Sequence, residues 1–278
     1  MLSGLRSIFL QTTLRWLPFQ GYAVGKDTVR GLYHKMFEPG GYRYENLDLQ
    51  SDPPTLSTRH QAGHSVCRFG PDFLTIEEKR TGVTIEGFVE AVETVLRGLR
   101  QEDVPPFYIQ QCKMQCLAQP ANVENSLELL AQRVSNVYKP VEPFERPPSF
   151  FGVKFEFHPV TLAVKTAEPD IGGKTEGKSE RSESENATER IPETSGTTRV
   201  AGFVTARFET YAEDVSQVWM EVTASYPETE QPLLLRDLQR IGNNIKETHH
   251  FLTSKCKRFL DQFDAEATHD SDSGPEGS

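Results

Sequence analysis

The order of elements read along this chain occurs twice: a strand, a short helix, an antiparallel meander and a long amphipathic helix, then the same succession again. A pattern that repeats in this way constrains the fold to an α+β architecture of two related halves, with the helices packed on one face of the sheet. The first half is placed at residues 1–103 and the second at 104–264.

The first half opens where Leu10, Thr12, Leu14 and Trp16 alternate with Gln11, Thr13 and Arg15, the period of a strand. The same segment carries Arg6, Arg15 and Lys26 with no acid before Asp27, as an organelle transit peptide would. The strand is preferred because the repeated order requires one here. A helix is predicted over 27–37, with Val29, Leu32, Tyr33 and Met36 on one face and Asp27 or Thr28 as its cap. An irregular strand over 42–50 follows, and then a hairpin of 65–69 and 73–77 turned by Gly70-Pro71-Asp72. The half closes with a helix over 85–100 whose stripe is Ile85, Phe88, Val89, Val92, Leu96 and Leu99, with Thr84 as N-cap.

The second half repeats this from Asp103. Its strand spans 107–117 and its short helix 126–138, where Asn125 and Glu128 stand at capping-box spacing. The meander comprises the segment with Phe151, Val153, Phe155 and Phe157 on one side, then 202–210, then the segment with Val218, Met220, Val222, Ala224 and Tyr226 on one side. The last helix is predicted from Pro232 to Phe263 on the stripe Leu234, Leu238, Ile241, Ile245, Leu252, Cys256, Phe259 and Phe263. His249 falls on that stripe, with His250 beside it.

Two segments interrupt the scheme. Residues 166–198 hold no aromatic residue and are dominated by Glu, Ser, Thr, Gly and Lys, too little apolar surface to offset the entropy of ordering them. They are expected to be a disordered insertion in a hairpin turn, and 265–278 a disordered acidic tail. These stretches hold most of the acidic excess behind the net charge of −10. The folded part is nearer neutral and offers no basic stripe, which argues against nucleic-acid binding. No apolar run approaches the ~20 residues needed to cross a bilayer. Four cysteines in 278 residues are too few for a disulfide scaffold, and a reducing, cytoplasmic setting is expected.

Signatures of the common nucleotide-dependent and hydrolytic enzymes are missing from the sequence. The best metal candidate is His60, His64 and Cys67, but Gly63 and a following strand deny the two histidines the single helical turn that their spacing needs, so no metal is expected. No cofactor is expected either. Glu77, Glu78, Glu86, Glu90 and Glu93 are taken as solvated charges. Glu209 and Glu221 would matter only if the second sheet face lined a cleft.

With CRFGPDFLTIEEKR feeding TIEGFVEAVETVLRGL, the strand after PPFYIQ, and the closing IGNNIKETHHFLTSKCKRFLDQF, the chain resembles a sporadically distributed family of uncharacterised prokaryotic α+β proteins. It departs from that family where basic and aromatic residues around a glycine are replaced by Gln111, Cys112, Lys113, Met114, Gln115 and Cys116. The resemblance implies no catalytic residue.

Three functions follow as expectations. The first is a non-enzymatic module binding a protein or small apolar ligand on a concave sheet-and-helix surface, with Trp219, His158, His249 and His250 as surface candidates. The second is a regulatory or defence component forming a homodimer through the C-terminal helix. The third is an enzyme of rare type with His64, His158, His249 or His250 as general base.

Overall fold

Residues 2–17, 24–36, 44–57, 64–79, 84–99, 104–135, 150–158, 160–162, 199–228 and 231–270 are described by the computed structural model. In chain order the elements are β1 (Ser3–Arg15), α1 (Lys26–Met36), β2 (Asn46–Asp48), β3 (Thr55–Ser57), β4 (His64–Phe69), β5 (Phe73–Lys79) and α2 (Ile85–Gly98). There follow β6 (Ile109–Gln119), a π-helical turn α3 (Glu128–Val134), β7 (Gly152–Phe157), β8 (Val160–Leu162), β9 (Arg199–Ala201), β10 (Phe203–Thr210) and β11 (Val218–Pro227). The closing helix is α4 (Leu238–His250), a π turn (Phe251–Cys256) and α5 (Lys257–Asp270).

The predicted N-terminal strand is central to the structure. β1 pairs with β5 on one side and β6 on the other, within a nine-stranded antiparallel sheet of order β2-β3-β4-β5-β1-β6-β11-β10-β7. Leu10 faces Met114 where β1 meets β6. The fold is therefore mixed α/β around one antiparallel sheet, as the alternation predicted.

Strand period two separates the sheet into two faces. Leu56, Cys67, Ile76, Thr12, Cys112, Ala224 and Val204 follow one another across seven strands, and all are buried. This face joins Val29 and Leu32 of α1, Phe88 and Val92 of α2, and Ile241, Ile245, Leu252 and Leu260 of the closing helix in one continuous core. Each such side chain contributes about 1.5–3 kcal/mol by leaving water. Helices α1 and α2 meet at Gly98, where a Cβ would lie 2.4 Å from the end of the Leu32 side chain and 2.7 Å from that of Met36, so a larger residue would have to displace them.

Local signals account for most element ends. Thr84 caps α2 by accepting from the Gly87 amide at 3.1 Å, and Asn125 accepts from the Glu128 amide at 2.8 Å. The Gly70-Pro71-Asp72 turn closes with Gly70 N–H donating to the Phe73 carbonyl at 2.8 Å. The strand expected over 42–50 is reduced to Asn46–Asp48, and a further short strand, Thr55–Ser57, lies between it and the hairpin.

Three expectations about the closing helix need correction. It begins at Leu238, not Pro232, because Leu233 instead exchanges two 2.8 Å backbone hydrogen bonds with Phe107. It continues to Asp270, so 265–270, expected to begin the tail, are helical. Its buried line also differs: Ile241, Ile245, Thr248, Leu252, Cys256, Leu260 and Asp264, with Phe259 and Phe263 only packed beside it. From Thr248 that line advances in steps of four residues, more than the 3.6 of an α-helix, and the wider π turn absorbs the difference.

The closing helix also ties down the start of β1 and the turn after β6. Leu2 N–H donates to Asp261 at 2.5 Å, while Asp264 accepts the amides of Ala121 and Asn122 at 3.2 and 2.9 Å. β8 and β9 continue the β7–β10 hairpin in the same register, so 163–198 links the paired residues Leu162 and Arg199. The insertion expected at 166–198 falls there, outside the described residues, as does 271–278.

Candidate binding surface

The second face of the sheet is polar. One step along from the core row, Val66, Glu77, Gln11, Lys113, Thr223 and Thr205 succeed each other across it. Two glutamates organise the charge. Glu77 binds Arg68 at 2.8 Å and Lys79 at 3.8 Å and accepts from Gln11 Nε2 at 3.2 Å. Glu221 binds Lys113 at 2.7 Å and accepts from Gln115 Nε2 at 2.6 Å.

Glu77 and Glu78 correct the expectation of solvated charges, being only 3 % and 2 % exposed. β5 lies between β4 and β1, so its side chains are hemmed in on both flanks. Burial alone would raise the Glu77 pKa, but Arg68, Lys79 and Gln11 outweigh it and hold the carboxyl below its usual range. It is a fixed anion, unsuited to donating a proton at neutral pH.

Towards β10 the face becomes aromatic and cationic. Arg207 lies over the Trp219 ring at 5.6 Å from its centroid while pairing with Glu209. On the other side of β6, Lys79 of β5 stands over Phe9 of β1 at 5.7 Å. Arg207 remains 47 % exposed, Lys113 35 % and Lys79 55 %, so a band of part-exposed cations, amides and one indole faces outward.

A second polar cluster, which sequence reasoning missed, is sealed between the sheet and α4. Gln110 Nε2 donates to Thr12 Oγ1 at 3.2 Å and to the Ile241 carbonyl at 3.1 Å, and its Oε1 accepts from Asn244 Nδ2 at 2.7 Å. Thr248 Oγ1 meets the Tyr226 hydroxyl at 2.8 Å and donates to the Asn244 carbonyl at 2.9 Å. Thr12, Gln110, Asn244 and Thr248 are all wholly buried. These mutually satisfied groups fix where α4 sits on the sheet. The available signal was two amide side chains, Gln110 and Asn244, standing in apolar phase.

The structure scatters the predicted site residues. Trp219 is on the polar face, whereas His249 and His250 belong to α4 on the opposite side. His158 is exposed just beyond β7, its ring 4.6 Å from that of Phe203. His249 is half-buried at the margin because Thr248 takes the core position expected for it, and burial lowers its pKa against the opposing pull of Glu86. His60 and the His64 side chain lie outside the described residues.

Cys67 is buried in the core, and burial pushes its thiol pKa well up. Among the described residues no three His, Cys, Asp or Glu side chains are grouped to hold a metal, and no helix is long and apolar enough to cross a membrane. All four cysteines are unpaired and buried. Comparison with known proteins yields no matching family model, no significantly similar curated protein and no significantly similar solved structure.

Proposed function

We propose that this chain is a non-enzymatic binding module for a protein partner, built from two copies of one sheet-and-helix plan, and that the partner meets the polar sheet face. The duplication reading is supported by the register. Moving one residue from the Leu10–Met114 pair along either strand reaches a glutamine paired with a glutamate, Gln11 with Glu77 and Gln115 with Glu221.

The observation that carries the binding reading is the occupancy of the two faces. The apolar side, where a small apolar ligand was expected, is already filled by the chain's own helices, with Phe155 and Phe208 ring-to-ring against Phe259 at 5.3 and 5.6 Å. The stripe expected to serve a helix-mediated dimer is likewise largely spent on the sheet, since Ile241, Ile245 and Leu252 are buried within one chain. The outer band around Lys113, Arg207 and Trp219 keeps aromatic and arginine side chains, the types enriched at protein interfaces, within reach. Four unpaired cysteines accord with a reducing, cytoplasmic setting.

Photo-cross-linking tests this. A benzophenone amino acid at position 219 should give a protein adduct in cells, and one at the exposed position 250 should not. Absence of an adduct at 219, or a small molecule retained by the purified chain in native mass spectrometry, would remove the reading.

A further inference from the structure

We propose that the free edge of β7 is a self-complementary docking strand for a second copy of this chain, pairing antiparallel about a two-fold axis at Phe155. The proposal does not depend on the polar face being a recognition surface.

Among the described residues β7 ends the nine-stranded sheet, with β10 as its neighbour there. The opposite edge is β2, just Asn46–Asp48, too short to offer a useful template. Along β7, Gly152, Lys154, Glu156 and Phe157 are exposed, as are Phe150 and His158 at its ends. Phe150, two residues before β7, and Phe157 at its end are 48 % and 38 % exposed.

Backbone direction follows from the ladder. Thr210 N–H donates to the Phe151 carbonyl at 3.0 Å, and Thr210 and Phe151 continue the β7–β10 register. Alternation along an antiparallel pair then turns the N–H and C=O groups of Phe151, Val153, Phe155 and Phe157 toward β10, and those of Gly152, Lys154 and Glu156 outward. The outward set belongs to the two charged residues, one of each sign, flanking a single phenylalanine.

In an antiparallel partner centred on Phe155, Lys154 lies opposite the partner's Glu156 as a hydrogen-bonded pair, and Glu156 lies opposite the partner's Lys154. Moving the centre by one residue either way sets Lys154 against the partner's Lys154, or Glu156 against the partner's Glu156. Like charges directly opposed are unfavourable, so the charge pattern selects one register. In that register Val153 covers the partner's exposed Phe157. Phe155, already packed on Phe208 at 6.0 Å and Phe259 at 5.3 Å, carries the aromatic layer across the join. Within one chain Lys154 and Glu156 pair with each other on the solvent side, which keeps the free strand soluble until a second copy arrives.

Sedimentation velocity on the full chain, up to roughly 100 µM, tests this. The intact protein should show a concentration-dependent dimer. Lys154→Glu alone and Glu156→Lys alone should each weaken it about tenfold or more, because each places like charges across both pairs. An equimolar mixture of the two variants should recover the dimer as a heterodimer, and the double swap in one chain should recover it alone. Both positions are exposed, and unchanged far-ultraviolet circular dichroism checks that the fold persists. A chain that stays monomeric throughout, or a dimer indifferent to the reversals, or a mixture that fails to associate, would overturn the proposal.

Discussion

Leu10 and Met114 stand opposite each other at the join of β1 and β6, and the pairings on either side keep step with them. One residue on, Gln11 meets Glu77; one residue on, Gln115 meets Glu221. The two glutamates differ in their surroundings. The Glu77 side chain is 4 % exposed and that of Glu221 13 %, and Glu77 holds two cations where Glu221 holds one.

That difference sets an order of cost. Glu77→Gln leaves Arg68, itself 35 % exposed, facing a neutral group and should destabilise by roughly 1.5–3 kcal/mol, while Glu221→Gln should cost about 1 kcal/mol. Because the folded Glu77 pKa is depressed, its contribution is fully present above the unfolded value near pH ~4.3 and is lost as pH falls through the folded value. Urea midpoints measured from pH 7 down to pH 3 should fall more gently for Glu77→Gln than for the intact chain. Equal acid sensitivity would contradict the placement of this carboxylate.

The sealed cluster under α4 predicts coupling. Gln110→Leu removes a donor to Thr12 and Ile241 and the acceptor that Gln110 offers Asn244 Nδ2, at roughly 2–3 kcal/mol. Asn244→Leu should cost about as much. The double variant should lose less than the sum by about 1 kcal/mol or more, since neither partner is then left unmatched. Additive losses in a denaturant-based double-mutant cycle would mean that the two amides do not act as a unit.

How far the sequence disclosed this structure varies by element for physical reasons. β1 was legible because Leu10, Thr12, Leu14 and Trp16 alternate and every one of them is buried. Thr12 was correctly phased even though it is polar. The closing helix was legible in existence but not in its ends or its phase, because the predicted stripe favoured Phe259 and Phe263 while the π turn buries Leu260 and Asp264 instead. A stripe rule with a fixed 3.6 period cannot anticipate a wide turn. Glu77 was misjudged because exposure depends on which strands flank β5, a tertiary fact that no local pattern carries. The polar band escaped notice for the same reason: Gln11, Lys113, Arg207 and Trp219 come from four strands that become neighbours only on folding.

The rephased helix makes a prediction about pH. Burial lowers the His249 pKa, so between its folded and unfolded values the unfolded chain binds more protons. Stability on this account is fully present above the unfolded value near pH ~6.5 and falls as pH drops below it. His249→Gln should therefore leave the melting temperature nearly unchanged at pH 8 and flatten its decline between pH 7 and pH 5.5. Thr248→Val should act differently: it breaks the contact with Tyr226 and lowers the melting temperature at both pH values. If the two variants behaved alike, the assignment of Thr248 to the core and His249 to the margin would be wrong.

The thiols offer a probe of the whole core. Burial pushes the pKa of Cys116 up to about 11 and those of Cys112 and Cys256 up to about 12, and raises Cys67 well above its usual value. At pH 8 the thiolate fraction of Cys116 is then of order 10⁻³, and all four thiols are buried. A disulfide reagent should label none of them in the native chain over minutes and all four once denaturant is added. The four sit on β4, β6 and the π turn, so labelling in native buffer should proceed only as fast as the core opens. A single thiol reacting ahead of the rest would identify the element that opens first. Early reaction of Cys256 alone would mean that the closing helix lifts from the sheet while the sheet stays paired, which would expose the apolar face that it otherwise fills.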